Sequence, residues 1–288
     1  MISVSIIVSN YLGSGTEFRP ALPENGGKNM IRLIVTDLDG TLLDEDRTIS
    51  DEAVEIIRAV SRRGVDFTFI TGRPWHGARR FARRAGIQLP TITCNGAVIN
   101  QGEQILWSAP MLLAPLRELM ERAAALGLTV LYSKDGGESA LSATEWTQAR
   151  DYPIAIPDWT NQRADKVNLI SGDRRAEFRG LMPLMDTLRG QYEIVRYEDA
   201  GCEIAGKGVN KAEALKRYAA LRDVSLEEVL AIGDNENDLE MLRLAGVGAA
   251  VANATAAAKE AADYVCRKER TEGVVEAVRE FCLEGAEL

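Results

Sequence analysis

Residues 31–41, with the sequence IRLIVTDLDGT, decide the fold. The first six are mostly apolar or β-branched and do not alternate, which is typical of a strand buried on both faces of a parallel sheet. Asp37 and Asp39 follow at once, and ligands of open α/β sheets bind beyond the carboxyl ends of the strands. Gly40 allows the backbone to come close to a bound ion. Two aspartates and a glycine also make an ordinary turn, so this stretch predicts either a ligand site or a plain turn.

The sequence on either side of this stretch predicts strands that alternate with helices. A helix capped by Ser50 ends at Gly64, a strand follows at 65–70, a second helix ends at Gly86, and a third strand spans 91–94. The C-terminal part has the same character, with helices at 211–220, 239–245, 255–262 and 274–282 and strands at 229–232, 247–251 and 264–266. This order predicts an α/β fold, a Rossmann-like doubly wound parallel sheet.

The middle of the chain has a different pattern. It predicts a hairpin at 98–107, helices at 113–126 and 176–188, and strands near 129–132, 167–170, 192–197 and 203–205. Helices and strands do not alternate strictly here, which favours a separate α+β unit. We therefore predict an inserted α+β domain at 96–205, which interrupts a core made of 30–95 and 206–288. Residues 1–29 are predicted to be a flexible N-terminal extension, either an over-long start or a disordered tail.

A second acidic cluster, Gly233-Asp234-Asn235-Glu236-Asn237-Asp238, follows the predicted strand at 229–232. Because the carboxyl ends of parallel strands meet at one edge, Asp234 and Asp238 can converge with Asp37 and Asp39 although they are far apart in sequence. Such a carboxylate cluster is costly unless a cation neutralises it, and hard oxygen ligands favour Mg²⁺. Asn237 or Asp238 could equally cap the next helix, and the two interpretations are compatible.

Two further polar groups are candidates for binding phosphate. Thr71 ends the second strand, where its hydroxyl and the amide of Gly72 could hold an oxygen, although Thr71 could also cap the next helix. Lys211 opens a helix after a glycine-rich turn, and a helix N-terminus already favours anions. A surface lysine is the ordinary alternative for Lys211.

Two competing motifs fit less well. A calcium loop opened by Asp37 would need glycine at its sixth position and glutamate at its twelfth, and neither is present. Residues 201–207 nearly match a P-loop, but Gly208 stands where the serine or threonine for Mg²⁺ belongs.

Composition limits the partners and the setting. The 288 residues carry a formal net charge of −9, which argues against nucleic acid and anionic membranes as partners. The basic cluster Arg79, Arg80, Arg83 and Arg84 is best explained as a solvated helix face. Four scattered cysteines predict neither a disulfide framework nor a zinc site, so we expect a cytoplasmic location. The sequence predicts no membrane span and does not indicate the oligomeric state.

Four motifs, in order, resemble the haloacid dehalogenase superfamily, and most of all its Cof-type branch with a large inserted cap. They are Asp37 to Leu43, Thr71-Gly72-Arg73-Pro74, Lys207-Gly208-Val209-Asn210-Lys211, and Gly233-Asp234 through Asn237-Asp238. Asn95-Gly96 and Asn253-Ala254 also fit, while Asn210 and Ala212 stand where the family usually has serine and glycine. The resemblance covers about 30–280 and implies a core domain with an inserted α+β cap that closes over the site.

The resemblance also implies a role for each matching residue. Asp37 would attack phosphorus and become an aspartyl-phosphate, while Asp39 would protonate the leaving alcohol and then activate water. The residues implied for phosphate binding are Thr71, Gly72 and Lys211, and those implied for substrate binding are Arg73, Asn95 and Gly96. The residues implied for Mg²⁺ are Asp37, Asp39 through its carbonyl, Asp234, Asn237 and Asp238.

These observations predict a magnesium-dependent phosphatase of small phosphorylated metabolites, such as sugar phosphates or phosphorylated cofactors. The partner would therefore be a small-molecule phosphate ester. A phosphomutase or phosphotransferase, in which another acceptor replaces water, is the nearest alternative. A non-catalytic nucleotide-binding module built on residues 201–207 is a third.

Overall fold

A computed structural model describes residues 30–143 and 152–283. Its strands are β1 (Leu33–Thr36), β2 (Asp66–Phe69), β3 (Thr91–Thr93), β4 (Val98–Gln101), β5 (Gln104–Ser108), β6 (Met111–Leu112), β7 (Thr129–Lys134), β8 (Gly137–Ser142), β9 (Arg163–Ala164), β10 (Lys166–Ile170), β11 (Tyr192–Tyr197), β12 (Gly201–Gly206), β13 (Val229–Gly233), β14 (Val247–Ala250) and β15 (Tyr264–Val265). Its α-helices are α1 (Asp51–Arg62), α2 (Trp75–Ala85), α3 (Arg117–Ala125), α4 (Arg175–Leu188), α5 (Lys211–Leu221), α6 (Leu239–Leu244), α7 (Ala256–Ala261) and α8 (Arg270–Val278).

One of the two five-stranded sheets is parallel and has the strand order β15-β14-β13-β1-β2. Strand β1 lies inside it, paired with β13 and β2, and all four of its residues are buried. This explains why its sequence does not alternate, since both faces meet apolar neighbours. Helix α1 contacts α2 and α8, and α6 contacts α5 and α7, which gives two groups of helices. The predicted α/β core with a wound parallel sheet is confirmed.

Local signals place the helix ends as predicted. Helix α1 begins after Ser50, whose side chain accepts a hydrogen bond from the amide of Ala53, and such caps satisfy amides that the helix leaves unpaired. Helix α2 ends at Gly86, which adopts the left-handed conformation with φ 71°. The last predicted helix begins earlier than expected, at Arg270, and continues into a π-turn at Arg279–Leu283.

The middle of the chain forms a second, antiparallel sheet with the strand order β11-β12-β10-β7-β8. Helices α3 and α4 contact each other and pack with this sheet around a separate apolar cluster. The predicted α+β character of the insertion is confirmed. The sequence does not predict strand β8; only Ala140 in it is buried, so its residues carry little apolar signal.

The prediction that 91–94 adds a third strand to the parallel sheet needs a correction. Residues 91–93 do form a strand, but they touch the parallel sheet through a single bridge, Ile70 to Ile92, and pair with the hairpin β4–β5 instead. Ile99 of this hairpin packs into the apolar cluster of the core. The sequence predicts 96–205 as the insertion and 30–95 with 206–288 as the core. The boundary proposed between residues 95 and 96 therefore falls inside a segment, β3 to β5, that contacts the core.

The predicted extension, 1–29, lies outside the described residues. Within 30–143 and 152–283, no helix is both long enough and apolar enough to cross a bilayer.

Candidate active site

The site is built at the carboxyl end of β1. The amide of Asp37 donates to the carbonyl of Ile232 at 2.9 Å, which ties the end of β1 to β13. Asp37 is buried, whereas the Asp39 side chain is half exposed. Gly40 has φ 87°, and a Cβ added to it would lie 2.4 Å from Oδ2 of Asp234. Glycine is required here because the backbone passes directly against that carboxylate.

Lys211 lies at the centre of a buried ion network. Its Nζ donates to Oδ1 of Asp37 and to Oδ1 of Asp238, each at 2.6 Å, and the lysine is 1% exposed. Burial by itself lowers the pKa of Lys211, but Asp238 and Asp37 reverse this and raise it above its ordinary value. The alternative of a surface lysine is therefore wrong, because the start of α5 points the side chain at the end of β1.

Asp234 and Asp238 extend from the end of β13 and complete the acidic cluster. Oδ2 of Asp238 accepts from the amides of Asp234 and Asn235 at 3.0 Å, so Asp238 closes the capping box of the turn Glu236–Asp238 and also holds Lys211. Oδ1 of Asp234 accepts from the hydroxyl of Thr41 at 2.6 Å. Asp238 stands at the predicted cap position of α6, but its side chain makes no capping hydrogen bond to that helix and bonds to Lys211 and the preceding amides instead.

The three carboxylates of Asp37, Asp234 and Asp238 have oxygens within 4.8 Å of one another. Burial raises the pKa of Asp37 well above its usual range, Lys211 opposes this, and Asp238 and Asp234 raise it further. Burial likewise raises the pKa of Asp234 to about 6, against the hydrogen bond from Thr41. One lysine does not fully compensate three carboxylates, so the residues fit a hard divalent cation bound through oxygen.

Thr71 and Gly72 follow β2 at the same edge of the sheet. Thr71 is fully buried, its amide donates to the Ile92 carbonyl at 3.0 Å, and its hydroxyl accepts from the amide of Arg73 at 3.2 Å. That bond closes a local turn, and Pro74 rather than Thr71 occupies the cap position of α2. The carbonyl of Gly72 accepts from Nζ of Lys166, which comes from the inserted domain.

Arg73 binds both carboxylate oxygens of Asp39 through two of its guanidinium nitrogens. Nε donates to Oδ2 at 2.7 Å and Nη2 donates to Oδ1 at 2.5 Å. Such bidentate pairs fix geometry as well as charge. The residue predicted to bind substrate therefore holds the residue predicted to act as acid and base.

Asn95 and Asn237 link the acidic cluster to the inserted domain. The side-chain amide of Asn237 donates to Oδ1 of Asn95 at 3.1 Å, and Asn95 in turn donates to Oε2 of Glu203. Gly96 has φ 101°, and an added Cβ would lie 2.4 Å from the carbonyl oxygen of Asn210. Packing against the start of α5 thus accounts for the glycine at position 96.

Residues of the inserted domain line the other wall of the cleft, and no motif indicated them in advance. The polar ones are Glu138, Tyr152, Lys166, Asn168, Tyr197 and Glu203. Lys166 is 3% exposed and forms a 2.9 Å ion pair with Glu203. A signal existed, since Lys166 and Glu203 are charged residues within mostly apolar strands, and a charge shielded from water needs a partner.

The near-match to a P-loop is not a phosphate loop. Its residues form β12, which pairs antiparallel with β10 and β11. A P-loop wraps the phosphates with consecutive amides before a helix, whereas these amides belong to an antiparallel sheet. The structure therefore removes the basis for a nucleotide-binding module at 201–207.

Comparison with known proteins now decides the family. The sequence model of the haloacid dehalogenase-like hydrolase family matches residues 34–278 of this chain. The chain belongs to the haloacid dehalogenase-like hydrolase family. The resemblance seen in its four motifs is thereby confirmed.

Similar proteins of this family are phosphatases. The chain is 30% identical to 5-amino-6-(5-phospho-D-ribitylamino)uracil phosphatase YcsE of Bacillus subtilis, over 88% of the chain and 96% of the relative. It is 28% identical to phosphoglycolate phosphatase of Methanothermobacter thermautotrophicus, over 87% and 99%. The crystal structure of a haloacid dehalogenase-like hydrolase from Bacteroides thetaiotaomicron superposes with a TM-score of 0.74 at 26% identity, over 87% and 99%. The expectation of a phosphoric monoester hydrolase is confirmed.

Proposed function

We propose that this haloacid dehalogenase-like hydrolase is a magnesium-dependent phosphatase of small phosphorylated metabolites that works through an aspartyl-phosphate on Asp37. The observation that carries the proposal is the placement of Asp37. Its carboxylate lies at the end of a buried parallel strand, next to a buried lysine and within 4.8 Å of two further carboxylates. Phosphoryl transfer depends mainly on such positioning and charge compensation.

In the proposed first step, an oxygen of Asp37 attacks phosphorus while the bond from phosphorus to the alcohol oxygen breaks. Asp39 supplies the proton that the leaving oxygen needs. Because Arg73 holds both oxygens of Asp39, Asp39 has to release at least one bond to donate. Arg73 keeps its bond to the other oxygen of Asp39, and its predicted role in substrate binding stays a prediction.

In the proposed second step, Asp39 takes a proton from water, and the water oxygen attacks phosphorus. The bond from phosphorus to Asp37 then breaks, which releases inorganic phosphate and restores the carboxylate. Lys211 holds Asp37 in place throughout, while Thr71 and the amide of Gly72 bind phosphoryl oxygens. Donors fixed in advance need no rearrangement as charge develops, and each is typically worth about 2.7–4 kcal/mol.

The residues proposed to hold Mg²⁺ are Asp37, Asp39 through its carbonyl, and Asp234, with Asn237 and Asp238 supporting them. Mg²⁺ would supply charge neutralisation between the anionic phosphate and the anionic nucleophile. Asp238 already accepts from Lys211 and two amides, so we assign it to positioning the other groups. The proposed cytoplasmic location is supported by four unpaired cysteine thiols.

The test is a screen for phosphate release from phosphorylated metabolites, with Mg²⁺ and with chelator, using the wild type and Asp37→Asn. We expect Mg²⁺-dependent release that Asp37→Asn abolishes, because the amide keeps the shape but removes the nucleophilic charge. Equal release by the two proteins would contradict the role of Asp37. Phosphate loss that requires an added acceptor alcohol would instead identify a phosphotransferase.

A further inference from the structure

We infer that the cleft selects esters whose non-phosphate part is uncharged and rich in hydroxyl groups, and discriminates against esters that carry a second anionic group. The inference rests on the proposed function, because it places the phosphate at Asp37. It concerns the opposite wall of the cleft, which the inserted domain provides.

The cleft has a volume of about 500 Å³ and is lined by both parts of the chain. That size accommodates a small molecule with most of its surface buried. With the phosphate beside Asp37, the rest of the substrate faces Glu138, Tyr152, Lys166 and Asn168. These residues therefore decide which leaving groups are accepted.

The cations deep in this lining are already paired. Nζ of Lys166 donates to Oε1 of Glu203 at 2.9 Å and to the carbonyl of Gly72. Arg73 is bound to both oxygens of Asp39. Arg47 also lines the cleft, but it is exposed at the rim, where water and salt screen its charge. A second anionic group on the substrate would have to take Lys166 from Glu203 and leave that mostly shielded carboxylate without a cation.

Hydroxyl groups, in contrast, meet available acceptors. Oε1 of Glu138 accepts from the Ser133 hydroxyl at 3.1 Å and from the Asn168 amide at 3.3 Å, and a carboxylate has about four acceptor sites in all. Oδ1 of Asn168 is buried and accepts no hydrogen bond from the described residues. Burial, the charge of Glu138 and a hydrogen bond to Glu138 raise the pKa of Tyr152 to about 12, so the protonated Tyr152 hydroxyl is a third donor to that carboxylate, which keeps about one acceptor site for the substrate. A polyol can supply the donors that this wall lacks.

Glu138 is the residue we assign to this discrimination. It repels a carboxylate or second phosphate on the substrate and attracts hydroxyl donors. Glu138 therefore favours polyol esters and disfavours esters with a second anionic group. Changing it to glutamine keeps the size and one acceptor oxygen but removes the charge. The variant should therefore lose discrimination more than it loses catalysis.

The test uses ester pairs that differ only at the far end of the carbon chain. Sorbitol 6-phosphate is compared with 6-phosphogluconate, and glycerol 3-phosphate with 3-phosphoglycerate. We expect the wild type to favour the neutral member of at least one pair by about ten-fold or more in kcat/KM. In neither pair should the anionic member have the higher kcat/KM. Glu138→Gln should reduce that ratio to about three-fold or less. Glu118→Gln, with the same charge change on the exposed face of α3, should leave it unchanged.

Other outcomes overturn the inference. A wild-type enzyme that hydrolyses the anionic member as fast as its partner contradicts it, and loss of that rate in Arg47→Gln would identify Arg47 as the anion receptor. Hydrolysis of p-nitrophenyl phosphate but of none of the four esters also contradicts it, while leaving the proposed function intact. No hydrolysis of any ester would remove the proposed function and the inference together.

Discussion

Replacing Lys211 by methionine should strongly destabilise the metal-free protein. The change keeps a long, apolar stem of similar volume but removes the cation that Asp37 and Asp238 share. Those carboxylates and Asp234 lie within 4.8 Å of one another, so the variant would hold a buried acidic cluster without its lysine. The expected result is a large loss in the free energy of unfolding.

The magnitude follows from the geometry. Each Nζ–Oδ1 distance is 2.6 Å, and at an effective dielectric constant of about 20 each pair attracts by roughly 6 kcal/mol. Removing the lysine from water costs several kcal/mol in the native protein, which offsets part of that attraction. Losing one partner of a buried ion pair typically costs about 3–5 kcal/mol, and we expect a value in that range.

The assay is urea unfolding in chelator, with Lys216→Met as the matched control. Lys216 lies on the same helix and pairs with Glu213 at 2.7 Å, but its side chain is 48% exposed. Exposed pairs contribute about 0–1 kcal/mol, so the control should remain close to the wild type. Adding Mg²⁺ should recover part of the stability that Lys211→Met has lost, because a cation replaces the missing charge.

The loss should also depend on pH. Asp37 and Asp234 have pKa values raised above those of the unfolded chain, so their ionised forms destabilise the native state above the raised pKa. As pH falls and they take up protons, that cost disappears. Lys211→Met should therefore be more destabilising near about pH 8 than near about pH 5. Equal effects of the Lys211 and Lys216 changes, or a loss that does not vary with pH, would refute the reasoning.

Two further features are tested by substitution, the first with a matched control. Gly40→Ala should abolish Mg²⁺-dependent activity, because the added Cβ would lie 2.4 Å from Oδ2 of Asp234. Gly208→Ala is the control, because Gly208 has a similar positive φ but no atom within 4 Å of an added Cβ. The control should cost only about 1 kcal/mol of stability and keep activity. Asp165→Asn should stabilise the protein by up to roughly 3 kcal/mol above pH 6, because burial and Asp135 raise the pKa of Asp165 to about 6. Chemical unfolding should show that gain vanishing below about pH 4, and an unchanged gain there would contradict the assignment.

Much of the core could be predicted because its signals are local. Residues next to one another in sequence predict the strand before Asp37, the helix capped by Ser50 and the strand before Asp234. Parallel pairing then brings strand ends together without any long-range information. The same logic placed Lys211 at the start of α5, although only the structure shows that it is buried.

The cleft wall could not be predicted, because its contacts are formed between distant segments. Lys166 reaches Gly72 across 94 positions, and Glu203 reaches Asn95 across 108. Nothing in the local sequence specifies such pairs. The prediction that β3 belongs to the parallel sheet was wrong for a related reason. An apolar run predicts a strand but not its partner, and here the hairpin β4–β5 provides the partner.

The central claim is that Asp37 carries the phosphoryl group, and direct trapping of that intermediate tests it. Asp39→Asn is incubated with Mg²⁺ and p-nitrophenyl phosphate, whose leaving group needs no proton, so the first step proceeds while the second is slowed. Borohydride then reduces an acyl phosphate but not a free carboxylate, and peptide mass spectrometry locates the change. We predict reduction at Asp37 that is absent without substrate. Reduction at another residue, or turnover with none at Asp37, would contradict the account.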